Sequence, residues 1–290
     1  MTPITQAIHE TVGHSGPIGV FDSGYGGLTI LRELRKKLPE ADYIYLGDNA
    51  RAPYGTRSFG LVYQFTLEAV RYLFARGCQL VIIACNTASA KALRSIQQKD
   101  LPTIDSARRV LGVIRPTAEV TGDYTHSRHV GLFGTPGTVA SKSYDLELAK
   151  LHPDIIFTSH ACPMWVPLVE NLEAEGPGAD YFVKKEIDTL MTADPDIDTI
   201  ILGCTHYPLL YKKIRQYTPE SVTVLTQGNI VADSLIDYLR RHPEISRLIT
   251  KGGTLELLTT EEADKFSTLA TAFLGYESQV SRVCDLTAPV

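Results

Sequence analysis

Short apolar runs alternate with longer amphipathic segments along the first third of the chain. IGVFDSG at 18–24 predicts a strand followed by a glycine turn, and LTILRELRKKL at 28–38 has helical periodicity. DYIYLGD at 42–48 and CQLVIIACNT at 78–87 predict two further strands, and 58–77 predicts a long helix. Strands that are apolar on both faces and alternate with helices are typical of a parallel sheet covered on both sides.

The predicted helix at 58–77 has recognisable ends. Ser58 is a suitable N-cap, and Gly77 is a suitable C-terminal stop. The segment ASAKALRSIQQ at 88–98 predicts the helix that follows the third strand. A long loop, DNARAPYGTRS at 48–58, interrupts the alternation.

The pattern starts again in the second half of the chain. HVGLFGTPGT, from residue 129, is similar to IGVFDSGYGG, and TIILGCTHYP, from residue 199, is similar to VIIACNTASA. Both apolar runs of the second pair end in a cysteine, Cys85 in one and Cys204 in the other. A third pair, PTIDSARRVLGV at 102–113 and VTVLTQGNIVADSL at 222–235, is predicted as a strand running into a helix in each copy.

The three pairs keep the same order with slightly drifting offsets. Phe21 corresponds to Phe133, Cys85 corresponds to Cys204, and Ile104 corresponds to Leu225. Such spacing predicts two copies of one α/β unit separated by small insertions. The alternative is that any α/β chain repeats strand, turn and helix, and the matching cysteines favour the repeat.

Length and composition restrict the classes of protein to which this chain can belong. The 290 residues allow about two domains, and 44% hydrophobic with 21% charged residues is ordinary for a soluble globular protein. A net charge of -5 without a basic patch argues against nucleic-acid and anionic-membrane partners. No apolar stretch approaches the ~20 residues needed to cross a bilayer.

Cysteine usage predicts a cytoplasmic protein. The five cysteines are widely spaced and contain no C-x-x-C, which fits neither a disulfide framework nor a zinc site. The segment at 1–17 lacks the basic start and apolar core of a secretory signal. Cys78, Cys162 and Cys284 are expected to be structural, since a thiol in an apolar segment is usually a small hydrophobe.

Polar and nucleophilic residues gather at the predicted strand ends. In open parallel sheets, ligands bind beyond the carboxyl ends of the strands. The candidates are Asp22, Ser23, Asp48, Cys85, Asn86, Thr87, Thr135, Thr138, Cys204, Thr205 and His206. We expect the helices that follow the two cysteines to offer amides for carboxylates and to lower the pKa of both thiols.

Two thiols on opposite sides of one ligand suit a particular reaction. One could remove a proton from a carbon while the other returns a proton to the opposite face, which is racemisation. Neighbouring amide and hydroxyl groups could stabilise the carbanion between the two steps. On the residues alone, a structural reading of Cys85 and Cys204 stays equally open.

Other readings of the same motifs are weaker. DSGYGGLT places Thr29 where a dinucleotide fingerprint requires its third glycine. Cys204 and His206 lack zinc-ligand spacing, and no lysine in the strand-end motifs could form a pyridoxal Schiff base. Neither a cofactor nor a metal is therefore expected. Asp22 could instead cap the next helix, and the PYG at 53–55 could be only a tight turn.

The motifs taken together resemble the glutamate racemases of the cofactor-independent aspartate/glutamate racemase superfamily. The resemblance covers about Ile18 to Gly275. It rests on FDSGYGGLT, GDNARAPYGTRS, ACNTAS, GTPGTVAS, ACPMWVPLVE and GCTHYPLL, which occur in this order. Tyr25 stands where many members have a smaller apolar residue, and the leader at 1–16 is outside the pattern.

The resemblance implies an architecture and an activity. The expected fold is α/β, with two pseudo-symmetric domains of mainly parallel sheets and the active site in the cleft between them. The expected domains are 1–115 with 228–290, and 116–227. The implied reaction interconverts L- and D-glutamate without a cofactor and supplies D-glutamate for peptidoglycan, and members commonly form homodimers.

The resemblance also implies residue roles. Cys85 matches the thiol that works on D-glutamate, and Cys204 matches the thiol that works on L-glutamate. Asp22 and His206 match the groups that assist them, and Glu170 matches the carboxylate that supports the histidine. The matching substrate-binding positions are Asp22, Ser23, Pro53, Tyr54, Gly55, Asn86, Thr87, Thr135, Thr138, Thr205 and His206.

Two alternative functions are compatible with the same motifs. One is another member of the superfamily, such as an aspartate or hydantoin racemase or an isomerase that uses the same thiols. The other is a binding module that has kept the scaffold without the activity. The CTHYP and DSGYGG motifs favour glutamate, and the presence of both cysteines argues against the binding module.

Overall fold

The computed structural model describes residues 15–276, 280–282 and 286. Cys284 and the segment at 1–14 lie outside them. The described residues contain ten strands: β1 Ile18–Asp22, β2 Tyr43–Gly47, β3 Leu80–Ile83, β4 Arg109–Gly112, β5 His129–Gly134, β6 Ile156–Ala161, β7 Thr199–Gly203, β8 Thr223–Leu225, β9 Leu255–Thr259 and β10 Val280–Arg282.

The same residues contain thirteen α-helical segments. They are α1 Leu28–Lys37, α2 Phe59–Ala75, α3 Asn86–Ala88, α4 Leu101–Ile104, α5 Ile114–Thr121, α6 Pro136–Ala140, α7 Ser143–Leu151, α8 Trp165–Glu170, α9 Pro177–Ala193, α10 Tyr211–Tyr217, α11 Gln227–Arg241, α12 Pro243–Ser246 and α13 Ala263–Leu274. π-Helical turns at Ser89–Leu93 and Ile96–Asp100 lie between α3 and α4, and 3₁₀ turns occupy Asn49–Arg51 and Tyr207–Leu210.

The strands form two parallel sheets of matching topology. The six-stranded sheet has the order β10-β9-β2-β1-β3-β4, and the four-stranded sheet has the order β6-β5-β7-β8. All the pairings within them are parallel. The order β2-β1-β3-β4 corresponds to β6-β5-β7-β8, and β9 with β10 extends the first sheet. The predicted α/β class with two related units is confirmed.

Strand register fixes which residues correspond. Phe21 pairs with Ile83 in the first sheet, and Phe133 pairs with Leu202 in the second. Both partners lie two residues before a cysteine, Cys85 in one case and Cys204 in the other. The first two predicted pairs of segments are therefore structurally equivalent, and the two cysteines leave equivalent strands.

The third predicted pair is wrong in its alignment. Residues 101–104 form the helix α4, with Pro102 in its first turn, where the missing N–H costs nothing. The strand begins only at Arg109, and Leu111 pairs with Ile82 as Leu225 pairs with Ile201. Leu111 is therefore the counterpart of Leu225, in place of Ile104.

The predicted ends of the long helix are confirmed. Ser58 caps α2, and its side chain accepts a hydrogen bond from the Leu61 amide. Gly77 follows the helix at a φ of 90°, a conformation that other residues rarely adopt. The helix predicted at 88–98 begins earlier, at Asn86, and continues to Ile104 through the two π-helical turns. Among the described residues, no helix has both the length and the apolarity that a membrane span needs.

Candidate active site

The carboxyl ends of both sheets meet at one cleft. Asp22 ends β1, Thr205 lies just beyond β7, and the Thr205 hydroxyl donates to the Asp22 carboxylate at 3.4 Å. Thr87 follows β3, Thr135 follows β5, and their hydroxyls lie 2.8 Å apart. Side chains that the sequence places far apart are thereby brought together from the two sheets.

The Cys85 thiol is held between Ser23 and the start of the following helix. It donates to the Ser23 hydroxyl at 3.4 Å, and its sulfur accepts from the Ala88 amide at 3.5 Å. Burial, followed by the negative charge of Asp22, raises the pKa of Cys85 to about 12, although these two hydrogen bonds oppose the shift. The expectation of a lowered pKa is wrong for this thiol, because burial outweighs the helix amides.

The Cys204 thiol is paired with an imidazole. The Nδ1 atom of His206 lies 3.9 Å from the sulfur, and its Nε2 atom lies 2.9 Å from Glu170 Oε1. Burial lowers the pKa of His206, but the hydrogen bonds and charges of Cys204 and Glu170 outweigh it and raise this pKa to about 10. His206 is therefore an imidazolium at neutral pH, and its positive charge lies beside the Cys204 sulfur.

Asp22 interacts electrostatically with both His206 and Cys85. Its carboxylate is fully buried and accepts hydrogen bonds from the Gly24 amide and the Thr205 hydroxyl. Burial raises the pKa of Asp22, while the positive charge of His206 opposes the shift. Asp22 in turn contributes to the raised pKa of Cys85, so the groups at both ends of the cleft are coupled.

Three buried threonines contact one another where the two sheets meet. The Thr135 hydroxyl lies 2.8 Å from that of Thr87 and 3.0 Å from that of Thr138. Thr135 also caps α6 by accepting a hydrogen bond from the Thr138 amide. This triad and the amides at the start of α3 and α6 supply neutral donors of the kind that bind carboxylates.

The loop at 53–55 contributes main chain to the cleft. The Ala52–Pro53 peptide is cis, and the Gly55 carbonyl accepts a 2.7 Å hydrogen bond from the Gly137 amide. A Cβ at Gly55 would lie 2.9 Å from the Thr135 Cβ, so close approach requires glycine here. The buried Tyr54 hydroxyl donates to Asp48.

Asp48 is itself deeply buried and tied to the loop. It pairs with Arg51 at 2.6 Å and accepts from the Thr260 hydroxyl at 2.9 Å. The hydroxyl of Tyr54 is therefore engaged with Asp48, and burial and the charge of Asp48 raise the pKa of Tyr54.

Asn86 is held by a buried network that the sequence did not reveal. The Asn86 amide donates to Gln227 Oε1 at 2.6 Å, and the Tyr144 hydroxyl donates to Asn86 Oδ1 at 2.8 Å. The Gln227 amide donates to the Tyr144 and Thr117 hydroxyls at 2.8 and 2.9 Å. In the sequence, Gln227 is only a polar residue that follows a predicted strand, and no motif pointed to Tyr144.

Aromatic rings of α13 cover the histidine side of the cleft. Phe273 contacts His206 edge to face, with ring centroids 5.6 Å apart. Tyr25, the residue that departs from the family pattern, is buried and stacks on Phe266 at 5.1 Å. No motif in the sequence gave a reason to place α13 against His206.

Within the described residues, one group has the composition of a metal site. His129, Asp194 and Asp196 have ligand atoms within 4.8 Å of one another. His129 begins β5, so this group lies at the opposite end of the sheet from the cleft. It contributes nothing to the candidate active site.

The fold defines a two-sheet α/β protein in which one cysteine follows an equivalent strand of each sheet. Residues 28–235 match the model of the Asp/Glu/Hydantoin racemase family. The chain belongs to this family, and the family predicted from the motifs is confirmed.

Proteins named glutamate racemase are similar to this chain over nearly its whole length. A glutamate racemase from Ruegeria sp. (strain TM1040) is 42% identical over 270 residues, which are 90% of this chain and 97% of that protein. The crystal structure of a glutamate racemase isoform from Bacillus anthracis is 35% identical with a TM-score of 0.84, covering 93% of this chain and 98% of the other. The glutamate racemase from Francisella tularensis in complex with D-glutamate is 33% identical with a TM-score of 0.82, covering 94% and 98%.

Proposed function

We propose that this protein interconverts L- and D-glutamate by direct proton transfer between the substrate α-carbon and the thiols of Cys85 and Cys204. The observation that carries the proposal is the equivalence of the two cysteines, which leave matching strands of two sheets that share one cleft. Relatives named glutamate racemase, one of them at 42% identity, support glutamate as the substrate.

The surroundings of the thiols support a direction-dependent mechanism. In the L-to-D direction, Cys204 removes the α-proton as a thiolate, and His206 lies beside it with Nδ1 3.9 Å from the sulfur. Cys85, which burial keeps protonated, donates its proton to the opposite face of the carbanion. The reaction leaves a Cys204 thiol and a Cys85 thiolate, and the D-to-L direction runs through the same steps reversed.

The remaining groups have supporting roles in this proposal. Asp22 assists Cys85, and Glu170 orients His206 through the 2.9 Å hydrogen bond. The threonine triad and the main-chain amides of Asn86 and Thr87 bind the substrate carboxylate and stabilise the carbanion electrostatically. Ser23, Pro53, Tyr54, Gly55, Asn86 and Thr205 complete the proposed substrate-binding set, with Tyr54 acting through its main chain because Asp48 engages its hydroxyl.

Several wider properties belong to the same proposal. The domains are 1–115 with 228–290, and 116–227, which the membership of β9 and β10 in the first sheet supports. The protein works in the cytoplasm, where the free thiols of Cys78, Cys85, Cys162 and Cys204 would persist. It acts as a homodimer and supplies D-glutamate for peptidoglycan and hence for cell-wall biogenesis and cell shape.

Circular dichroism tests the activity directly. L-Glutamate without added cofactor should lose its signal as the racemic mixture forms, and D-glutamate should approach the same endpoint from the opposite sign. Aspartate and a hydantoin are assayed separately as alternative substrates. The double variant Cys85→Ala/Cys204→Ala is the inactive control. Faster racemisation of aspartate or the hydantoin, or no change with glutamate, would reject the proposed substrate.

A further inference from the structure

Lys91 follows Cys85 along the same helical run and stands at the outer edge of the cleft. It lies in the π-helical turn Ser89–Leu93 and is half-buried. Its Nζ atom donates to the Arg57 carbonyl at 2.7 Å, and the ammonium lies 5.0 Å from the centre of the Phe59 ring. The loop that contains the cis Pro53 peptide is therefore fastened to the helix that begins beside Cys85.

The ammonium also reaches the opposing sheet's side of the cleft. A Cβ at Gly137 would lie only 2.7 Å from Lys91 Nζ, so the two residues are in close contact. The Gly137 amide is the donor to Gly55, which joins the two cleft loops. Lys91 Nζ thus lies where the loops from the two sheets meet.

The charge of Lys91 is not neutralised locally. Of the carboxylates in the described part of the chain, none lies within ion-pair distance of its ammonium. Arg51, on the same loop, is instead bound by Asp48 and Glu68. Burial lowers the pKa of Lys91, and the thiolate form of Cys85 opposes that shift, so the charges of these two groups interact.

We propose that Lys91 is a specificity-determining residue that attracts the side-chain carboxylate of the substrate and so selects an acidic amino acid. This inference rests on the proposed function and goes beyond the substrate-binding set given above. The hydroxyl and amide donors around Thr87 and Thr135 are neutral, whereas Lys91 supplies a full positive charge at the distal edge. An unpaired, half-buried ammonium attracts a carboxylate more strongly than a fully exposed one does, because less water screens it.

Steady-state kinetics with L-glutamate at low and high ionic strength test this role. Lys91→Met keeps the aliphatic length and removes the charge, Lys91→Arg restores a charge, and Lys99→Met removes an exposed lysine from the same helical run as the matched control. We expect Lys91→Met to raise KM about 10-fold with kcat within about 2-fold, because uniform binding is lost. The salt dependence of KM should flatten in Lys91→Met, and Lys91→Arg and Lys99→Met should behave like the wild type.

The outcomes of this experiment separate the two proposals. An active wild type whose KM and salt dependence are unchanged in Lys91→Met would overturn the role of Lys91 and leave the racemase proposal intact. A fall in kcat at unchanged salt dependence would assign Lys91 to loop anchoring alone and would also overturn the inference. A wild type that racemises no glutamate would reject the proposed function and this inference with it.

Discussion

The hydroxyl of Thr205 donates a hydrogen bond to the carboxylate of Asp22 at 3.4 Å, although the two residues are 183 positions apart in the chain. Asp22 belongs to the end of the first strand and Thr205 follows Cys204 in the second sheet. The contact therefore joins the group proposed to assist Cys85 to the loop that carries Cys204. Its geometry supports a single site built from both sheets.

Removing either thiol should abolish racemisation in both directions. In Cys85→Ala or Cys204→Ala, one face of the α-carbon has no proton donor or acceptor, so we expect kcat to fall by at least about 10³-fold. Circular dichroism of glutamate measures the loss, and far-ultraviolet spectra check that each variant is folded. Cys78→Ala, which removes a buried thiol elsewhere in the core, is the control and should retain turnover. Near-normal turnover by either active-site variant would contradict the two-thiol mechanism.

The pairing of His206 with Glu170 should make stability depend on pH. The pKa of His206 is raised from 6.5 to about 10, so its stabilising contribution is fully present below pH 6.5 and is lost as pH rises through about 10. Glu170→Gln removes a charged hydrogen-bond partner, which should lower the free energy of unfolding at neutral pH by about 1 to 3 kcal/mol.

Urea unfolding at several pH values tests this pairing. The difference between the wild type and Glu170→Gln should be largest near pH 6 and should shrink towards pH 10. Glu173→Gln, in the loop that follows α8, is the comparison variant for a carboxylate without this partner. A difference that stays constant across that range would show that Glu170 does not act through the charge of His206.

The buried network around Asn86 should affect both stability and substrate binding. Tyr144→Phe removes the hydroxyl that donates to Asn86 Oδ1 and leaves that buried oxygen without its partner, at a cost of about 1 to 3 kcal/mol, while the Gln227 amide keeps its bond to Thr117. Because Asn86 lies directly after Cys85, its displacement should also raise the KM for glutamate. The exposed Tyr181→Phe is the matched control. Unchanged KM with lowered stability would limit the network to a structural role.

Hydrophobic patterning predicted the architecture well where the segments were long or strongly apolar. The strands around Phe21, Phe133 and the two cysteines, and the cap at Ser58, follow from local sequence that tertiary packing reinforces. The segment at 102–113 failed because Pro102 suits the first turn of a helix and the short β4 begins with Arg109. Packing against neighbouring strands determines both where this helix forms and where β4 begins.

The chemistry of the site was only partly visible in the sequence. Motifs placed Cys85, Cys204 and His206, but the pKa of Cys85 depends on burial, which a helix-terminus argument does not contain. Asn86 is hydrogen-bonded to Tyr144 and Gln227, which lie far from it along the chain. No local sequence pattern therefore predicted these contacts. Long-range packing decides such contacts, and only the fold reveals them.

Isotope incorporation tests the opposed arrangement of the two sulfurs most directly. With the enzyme in heavy water and L-glutamate or D-glutamate as the starting material, early samples are analysed for deuterium at the α-carbon of each enantiomer. Since a thiol on the far face, already exchanged with solvent, delivers the incoming hydrogen, deuterium should enter the newly formed enantiomer while the starting one stays unlabelled. Early deuterium in both enantiomers at equal rates would mean that one base serves both faces, and the central claim would be wrong.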